Sequence, residues 1–120
     1  MSRRTLARAA RVAGIGLHTG AATEARFAPA GAGTGIRFRR SDLPAAEEIP
    51  ATLPNVEATE RRTALGAAPA TIHTVEHVLA AVSALQLDDV AITLDGPEPP
   101  IADGSFRPFL EALTAAGVEE

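Results

Sequence analysis

Apolar side chains in the second half of the chain recur at the spacing of one helical face, and this pattern predicts two helices. The first helix is expected over residues 74–86, with an apolar face of Val75, Val78, Leu79, Val82 and Leu85. The second is expected over residues 105–116, with an apolar face of Phe106, Phe109, Leu110 and Leu113. Ser105 can cap the start of the second helix, and Gly117 can end it.

The other regular segments have the character of strands. Residues 90–94 are apolar and partly β-branched, which predicts a strand between the two helices. In the first forty residues, glycine-rich turns separate segments that predict strands near 4–12, 21–28 and 34–40. A further strand is predicted over 58–65, whereas prolines between residues 44 and 54 indicate an irregular loop. The order of these elements predicts an α+β two-layer sandwich, with a mainly antiparallel sheet and two helices.

Composition limits the chain to one domain of ordinary size. Its 120 residues are 46% hydrophobic and contain no cysteine, so disulfides, cysteine metal sites and thiol nucleophiles are excluded. No apolar stretch has the length of a membrane span, and arginines interrupt the only segment that could serve as an export signal. We therefore expect a cytoplasmic protein without a transmembrane segment.

Charge is unevenly distributed along the chain. Residues 1–40 hold eight arginines and a single acid, Glu24, although the whole chain has a formal net charge of −4. Without lysine, tyrosine or tryptophan, this basic segment is a weak indication of nucleic-acid binding. We expect no nucleic-acid partner, and we expect the arginines to pair with the acidic remainder of the fold.

The segment from His73 to His77 carries the strongest local signal for chemistry. It reads His-Thr-Val-Glu-His and lies at the predicted start of the first helix, with both histidines on the side opposite the apolar face. One interpretation is a solvated helix start in which Glu76 is a first-turn acid. Another is the H-x-x-E-H signature of a metallopeptidase, but His73 precedes the first helical turn, which disfavours a shared zinc site.

Four motifs in order give a third interpretation. They are residues 14–20 (GIGLHTG), 39–43 (RRSDL), 74–77 (TVEH) and 95–105 (DGPEPPIADGS). In this order they resemble the UDP-3-O-acyl-N-acetylglucosamine deacetylase family, the zinc hydrolases of lipid A biosynthesis. The resemblance covers nearly the whole chain and implies the N-terminal of the family's two α+β domains, with the C-terminal half absent.

The resemblance also implies roles for individual residues. Through the TVEH motif, His77 is expected to be a zinc ligand and Glu76 the general base that activates water. His18 is expected to lie near the substrate, although a loop histidine that bonds backbone groups fits its position equally well. His73 replaces a small polar residue of the family and is expected at the capping position of the helix.

One imidazole and one carboxylate do not complete a catalytic zinc site, which has three protein ligands. The resemblance implies that a C-terminal domain or subunit supplies the others, so zinc binding by this chain alone is expected to be weak and deacetylation absent. The alternative is a free-standing relative of that domain that binds a ligand or a protein without catalysis. A homodimer is a further arrangement consistent with the sequence.

Overall fold

The computed structural model describes ten strands and two helices. Described residues are 4–15, 20, 22–42, 49–50, 56–58, 63–65, 72–73, 75–96, 99–100 and 107–120. In chain order the strands are β1 (Thr5–Leu6), β2 (Ala10–Ile15), β3 (Ala22–Pro29), β4 (Ile36–Arg40), β5 (Ile49–Pro50), β6 (Val56–Ala58), β7 (Thr63–Leu65), β8 (Ile72–His73), β9 (Val90–Leu94) and β10 (Val118–Glu119). The helices are α1 (Glu76–Ala84) and α2 (Arg107–Ala116).

The central sheet has five strands in the order β2-β3-β9-β4-β5. Its neighbouring strands are antiparallel except for β4 and β9, which run parallel. Strands β6, β7 and β8 form a separate antiparallel sheet, and β1 pairs with β10. The predicted α+β class, with a mainly antiparallel sheet and two helices, is confirmed.

Alternation along the strands explains why the helices cover one face of the sheet. In β9, Val90, Ile92 and Leu94 are buried, while the intervening Ala91 and Thr93 are half-buried. The buried face packs against α1 and α2 in one hydrophobic cluster. At its centre the rings of Phe27 in β3 and Phe109 in α2 meet edge to face, with centroids 6.2 Å apart.

Three predictions about strands need correction. The predicted strand at 4–12 is divided, because β1 pairs with β10 while β2 joins the central sheet. The predicted single strand at 58–65 is wrong, since Ala58 of β6 pairs with Thr63 of β7 in an antiparallel ladder. The proline-rich loop contains β5, an edge strand in which a proline is tolerated because one side of the strand needs no ladder partner. Strands β8 and β10 were not predicted from the sequence.

The start of α1 also differs from the prediction. His73 does not occupy the capping position, because it belongs to β8 and pairs with Ala64 of β7. The fully buried Ile72 precedes it in the same strand. The residue at the N-cap is Val75, which makes no side-chain capping hydrogen bond. The backbone is therefore extended as far as His73. The helix begins at Glu76, two residues later than predicted.

The two helices end in the same backbone conformation with different residues. Gly117 ends α2 with φ of 86°, and its N–H donates to the carbonyls of Leu113 and Thr114, as predicted for a terminating glycine. At the end of α1, Gln86 has φ of 55°. The N–H of Gln86 donates to Ser83, and the N–H of Leu87 donates to Val82, which completes a Schellman motif without glycine.

This difference gives a prediction about stability. Replacing Gln86 by glycine should raise the free energy of unfolding by about 0.5–1 kcal/mol, because glycine adopts positive φ without steric strain. Gly117→Ala should lower it by about 1 kcal/mol for the same reason. Urea denaturation followed by far-UV circular dichroism measures both changes. Stabilities that move in the same direction for the two variants would contradict this account of the helix ends.

A buried carboxylate holds the turn between β3 and β4. Asp89 is 1% exposed, and its Oδ1 accepts the backbone N–H groups of Gly33 and Gly35 at 3.1 and 2.9 Å. The Asp89 carbonyl accepts the hydroxyl of Thr5 at 2.6 Å. Next to it, the Asp88 carboxylate accepts the N–H of Arg4 at 2.8 Å. These bonds join the start of β9 to both the turn and the N-terminal strand.

Candidate functional site

Glu76 and His77 are the first two residues of α1. The buried stripe of this helix consists of other residues, among them Val75, Val78 and Val82, which are 0–3% exposed. His77 is half-buried, so its imidazole lies at the margin of the fold rather than in the core. Both positions thus lie in the first turn of α1, and His77 is outside the fully buried stripe of the helix.

The local electrostatics of this helix start favour a negative group. The first N–H groups of any α-helix lack partners within the helix, and the helix dipole places partial positive charge at this end. In α1 the first intrahelical bond runs from the N–H of Leu79 to the carbonyl of Val75, at 2.9 Å. An acidic residue in the first turn of a helix is favoured for this reason.

The donor chemistry of this helix start fits zinc, but the set of donors is incomplete. A neutral imidazole is an ordinary zinc ligand, and His77 provides one. Among the described residues, no group of three or more histidine, cysteine, aspartate or glutamate side chains could hold a metal ion. Of the other two histidines, His18 lies outside the described residues, and His73 belongs to β8 and not to the helix.

Residues 39–42 of the second motif connect the ends of two neighbouring strands. The Arg40 side chain is 10% exposed and donates to both carboxylate oxygens of Asp42, at 3.1 and 2.6 Å. Between them, the N–H of Ser41 donates to the carbonyl of Leu94 at 2.8 Å. The motif thus fixes the end of β4 against the end of β9.

The Arg40 to Asp42 pair also has a pH dependence with a definite sign. The hydrogen bond from Arg40 holds the pKa of the Asp42 carboxyl below its ordinary value. The ionised pair therefore stabilises the fold at a pH above the ordinary aspartate pKa, and this contribution is lost as the pH falls through the lowered value.

Asp95, the first residue of the fourth motif, connects two strands of the central sheet. Its Oδ1 accepts the hydroxyl of Thr23 at 2.9 Å and the N–H of Glu24 at 2.8 Å. Most of the remaining motif, residues 97–98 and 101–105, lies outside the described part of the chain, as does the predicted cap Ser105. Within that part, Asp95 contributes to the fit of β9 against β3 rather than to the helix start that carries Glu76.

Comparison with known proteins assigns the class and then the family. The fold defines a two-layer α+β sandwich domain, and residues 3–120 match the family described as UDP-3-O-acyl N-acetylglycosamine deacetylase. The chain belongs to this family. Across the described residues, no helix is long and apolar enough to cross a membrane.

Named relatives agree with this assignment. The chain is 48% identical over 109 residues to a UDP-3-O-acyl-N-acetylglucosamine deacetylase of Bdellovibrio bacteriovorus, covering 91% of this chain and 36% of the relative. It is 47% identical over 117 residues to the bifunctional enzyme LpxC/FabZ of Chlorobaculum tepidum, covering 98% and 25%. A Brucella melitensis deacetylase is 44% identical over 115 residues, covering 96% and 40%. The chain therefore spans between a quarter and two fifths of the length of these relatives.

Proposed function

We propose that this chain forms one domain, the N-terminal part of a zinc-dependent deacetylase that removes the N-acetyl group from a UDP-3-O-acyl-N-acetylglucosamine in the cytoplasm. The observation that supports this best is the adjacency of Glu76 and His77 at the start of α1, in a chain of the deacetylase family. The acyl-bearing substrate is the one named in the descriptions of the deacetylases from Bdellovibrio and Brucella.

In this proposal each of the two residues has one role. His77 would hold zinc through an imidazole nitrogen, and its side chain is half-buried at the start of the helix. The Glu76 carboxylate accepts a proton from the water that attacks the acetyl carbonyl, which is the work of a general base. When bound, zinc supplies Lewis-acid polarisation of that carbonyl.

The backbone gives this pair a fixed relation. Consecutive helical residues are about 100° apart around the axis and about 1.5 Å apart along it. The positions of a metal ligand and a base on the same turn are therefore fixed relative to each other. The helix itself is anchored by the burial of Val75 and Val78 and by the short strand β8 before it. His18 is proposed to contact the substrate, on the resemblance of its motif alone.

The remaining zinc ligands are proposed to come from a C-terminal domain or subunit. Catalytic zinc has three protein ligands, and the described residues offer a single imidazole at this helix start. The relatives are longer than this chain by a factor of two or more, which gives room for such a domain. A complete site then requires both parts.

Zinc titration of the 120-residue chain tests this division of the site. We expect weak zinc binding by calorimetry and no deacetylation of the UDP-sugar substrate, because one imidazole leaves most of the coordination sphere to water. Adding the C-terminal part of the Bdellovibrio relative should restore tight binding and turnover. Submicromolar zinc binding, or turnover by the chain alone, would refute the proposed division.

A further inference from the structure

The face of the central sheet that α1 and α2 leave uncovered carries a transverse row of arginines. In the strand register, Arg11 of β2 is opposite Arg26 of β3, Arg26 is opposite Thr93 of β9, and Thr93 is opposite Arg39 of β4. We call Arg11, Arg26 and Arg39 the arginine row. Because neighbouring strands lie about 4.8 Å apart, the row extends for about 15 Å across four strands.

The side chains of the row are available to a partner. Those of Arg11 and Arg26 are 71% and 69% exposed, and Arg39 is exposed as well. One carboxylate, Glu24, serves two of them: it forms an ion pair with Arg26, and its Oε2 lies 3.7 Å from a guanidinium nitrogen of Arg11. Among the described residues, Arg39 has no carboxylate within ion-pair distance.

The charges on this face have a positive excess. Beside the row, Arg37 is half-buried and donates to the carbonyl of Thr34. The described acids facing the row are Glu24 and Asp95, and the latter already accepts bonds from Thr23 and from the N–H of Glu24. Four guanidinium groups therefore face two carboxylates, although the net charge of the whole chain is −4.

The shape of the face favours an extended partner over a small ion. Its depression has a volume of about 200 Å³ and is lined by Glu24 and Asp95 as well as Arg26, so the two carboxylates oppose an isolated anion there. No aromatic residue belongs to the row, and the chain has no tyrosine or tryptophan for base stacking. At one margin, Ile15 of β2 is 55% exposed and offers an apolar contact.

We propose that this sheet face docks on a membrane surface rich in anionic phospholipid, with the arginine row against the phosphate groups. Juxtamembrane arginines are attracted to such a surface, and an exposed apolar side chain at the margin adds to binding. Attachment is peripheral and reversible. The inference depends on the charge of the face and not on the proposed deacetylation, although an acyl-bearing substrate would be met at such a surface.

Vesicle co-sedimentation of the 120-residue chain tests the proposal without any turnover measurement. We expect binding to vesicles of phosphatidylglycerol and phosphatidylcholine, none to pure phosphatidylcholine, and loss of binding in about 0.5 M salt. Each of R11Q, R26Q and R39Q should lower the partition coefficient about fivefold. Glu24→Gln should raise it by a similar factor, because it removes the carboxylate that faces two of the arginines.

Control variants carry the same change of charge on the helical side. Arg107 in α2 has a side chain that is 77% exposed, and Arg8 bonds to the carbonyl of Ala115 in α2. R107Q and R8Q should leave vesicle binding within twofold of the parent chain, and circular dichroism verifies that every variant is folded. Equal losses from both sets of variants, binding to neutral vesicles, or a preference for duplex DNA over vesicles would overturn the proposal.

Discussion

Glu76→Gln is expected to remove deacetylation from the assembled enzyme while leaving its zinc content unchanged. The test protein is a chimera in which this chain replaces the matching segment of the Bdellovibrio deacetylase, with which it is 48% identical over 109 residues. Glutamine keeps the size of the side chain but cannot accept a proton, so kcat should fall by about 10²–10⁴-fold. Turnover of the acylated UDP-sugar and zinc content by atomic absorption measure the two effects.

A companion substitution separates the base from the ligand. His77→Ala should lower both zinc content and turnover, because it removes an imidazole that the proposal assigns to the metal. Glu111→Gln makes the same change of charge as Glu76→Gln, on a side chain of α2 that is 69% exposed, and should leave both quantities unchanged. If Glu76→Gln kept more than about a tenth of the parent kcat, the role of general base would be wrong.

Asp89→Ala is expected to destabilise the chain by about 3–4 kcal/mol. The substitution deletes a carboxylate that is 1% exposed and accepts the N–H groups of Gly33 and Gly35. Each hydrogen bond to a charged group contributes about 1.5–3 kcal/mol. Both bonds are partly buried, so the two N–H groups would lose their partner without full access to water. Urea unfolding followed by far-UV circular dichroism is the measurement, since the chain has no tryptophan or tyrosine for fluorescence.

The neighbouring aspartate provides the control for this experiment. The Asp88 carboxylate accepts a single backbone N–H, that of Arg4, so Asp88→Ala should cost about 1–2 kcal/mol. Asp89→Asn keeps an acceptor oxygen and should recover part of the loss in Asp89→Ala. An Asp89→Ala variant no less stable than Asp88→Ala would show that the turn between β3 and β4 does not depend on this carboxylate.

Periodicity predicted those elements whose side chains interact mainly with one continuous core. The strand at 90–94 has the predicted bounds, and the helix ending before Gly117 has the predicted apolar face in Phe109 and Leu113. Spacing succeeds here because the side chains that face the core recur about every 3.6 residues in a helix and at every second residue in a strand. The helix end at Gly117 was also predicted from the sequence, since a helix end with positive φ favours glycine.

The positions that sequence patterns missed depend on residues distant in the chain. His73 is in a strand because Ala64 lies beside it, and Ile49 and Pro50 are in a strand because β4 presents a free edge. No structural role was predicted from the sequence for Asp89 or Asp95. Their positions directly before and after the apolar strand 90–94 nevertheless indicate carboxylates that hydrogen-bond to the backbone. A carboxylate next to a buried strand needs hydrogen-bond donors, and only the fold reveals which N–H groups supply them.

The sequence by itself determined the α+β class, the adjacency of Glu76 and His77 at a helix start, and the family resemblance that four ordered motifs carry. These properties follow from local spacing, which is preserved when the chain folds. The tertiary structure decided the parallel pairing of β4 with β9, the alignment of Arg11, Arg26 and Arg39 in one row, and the burial of Asp89. Each of these depends on strand register and on contacts between distant segments, which no local pattern of side chains specifies.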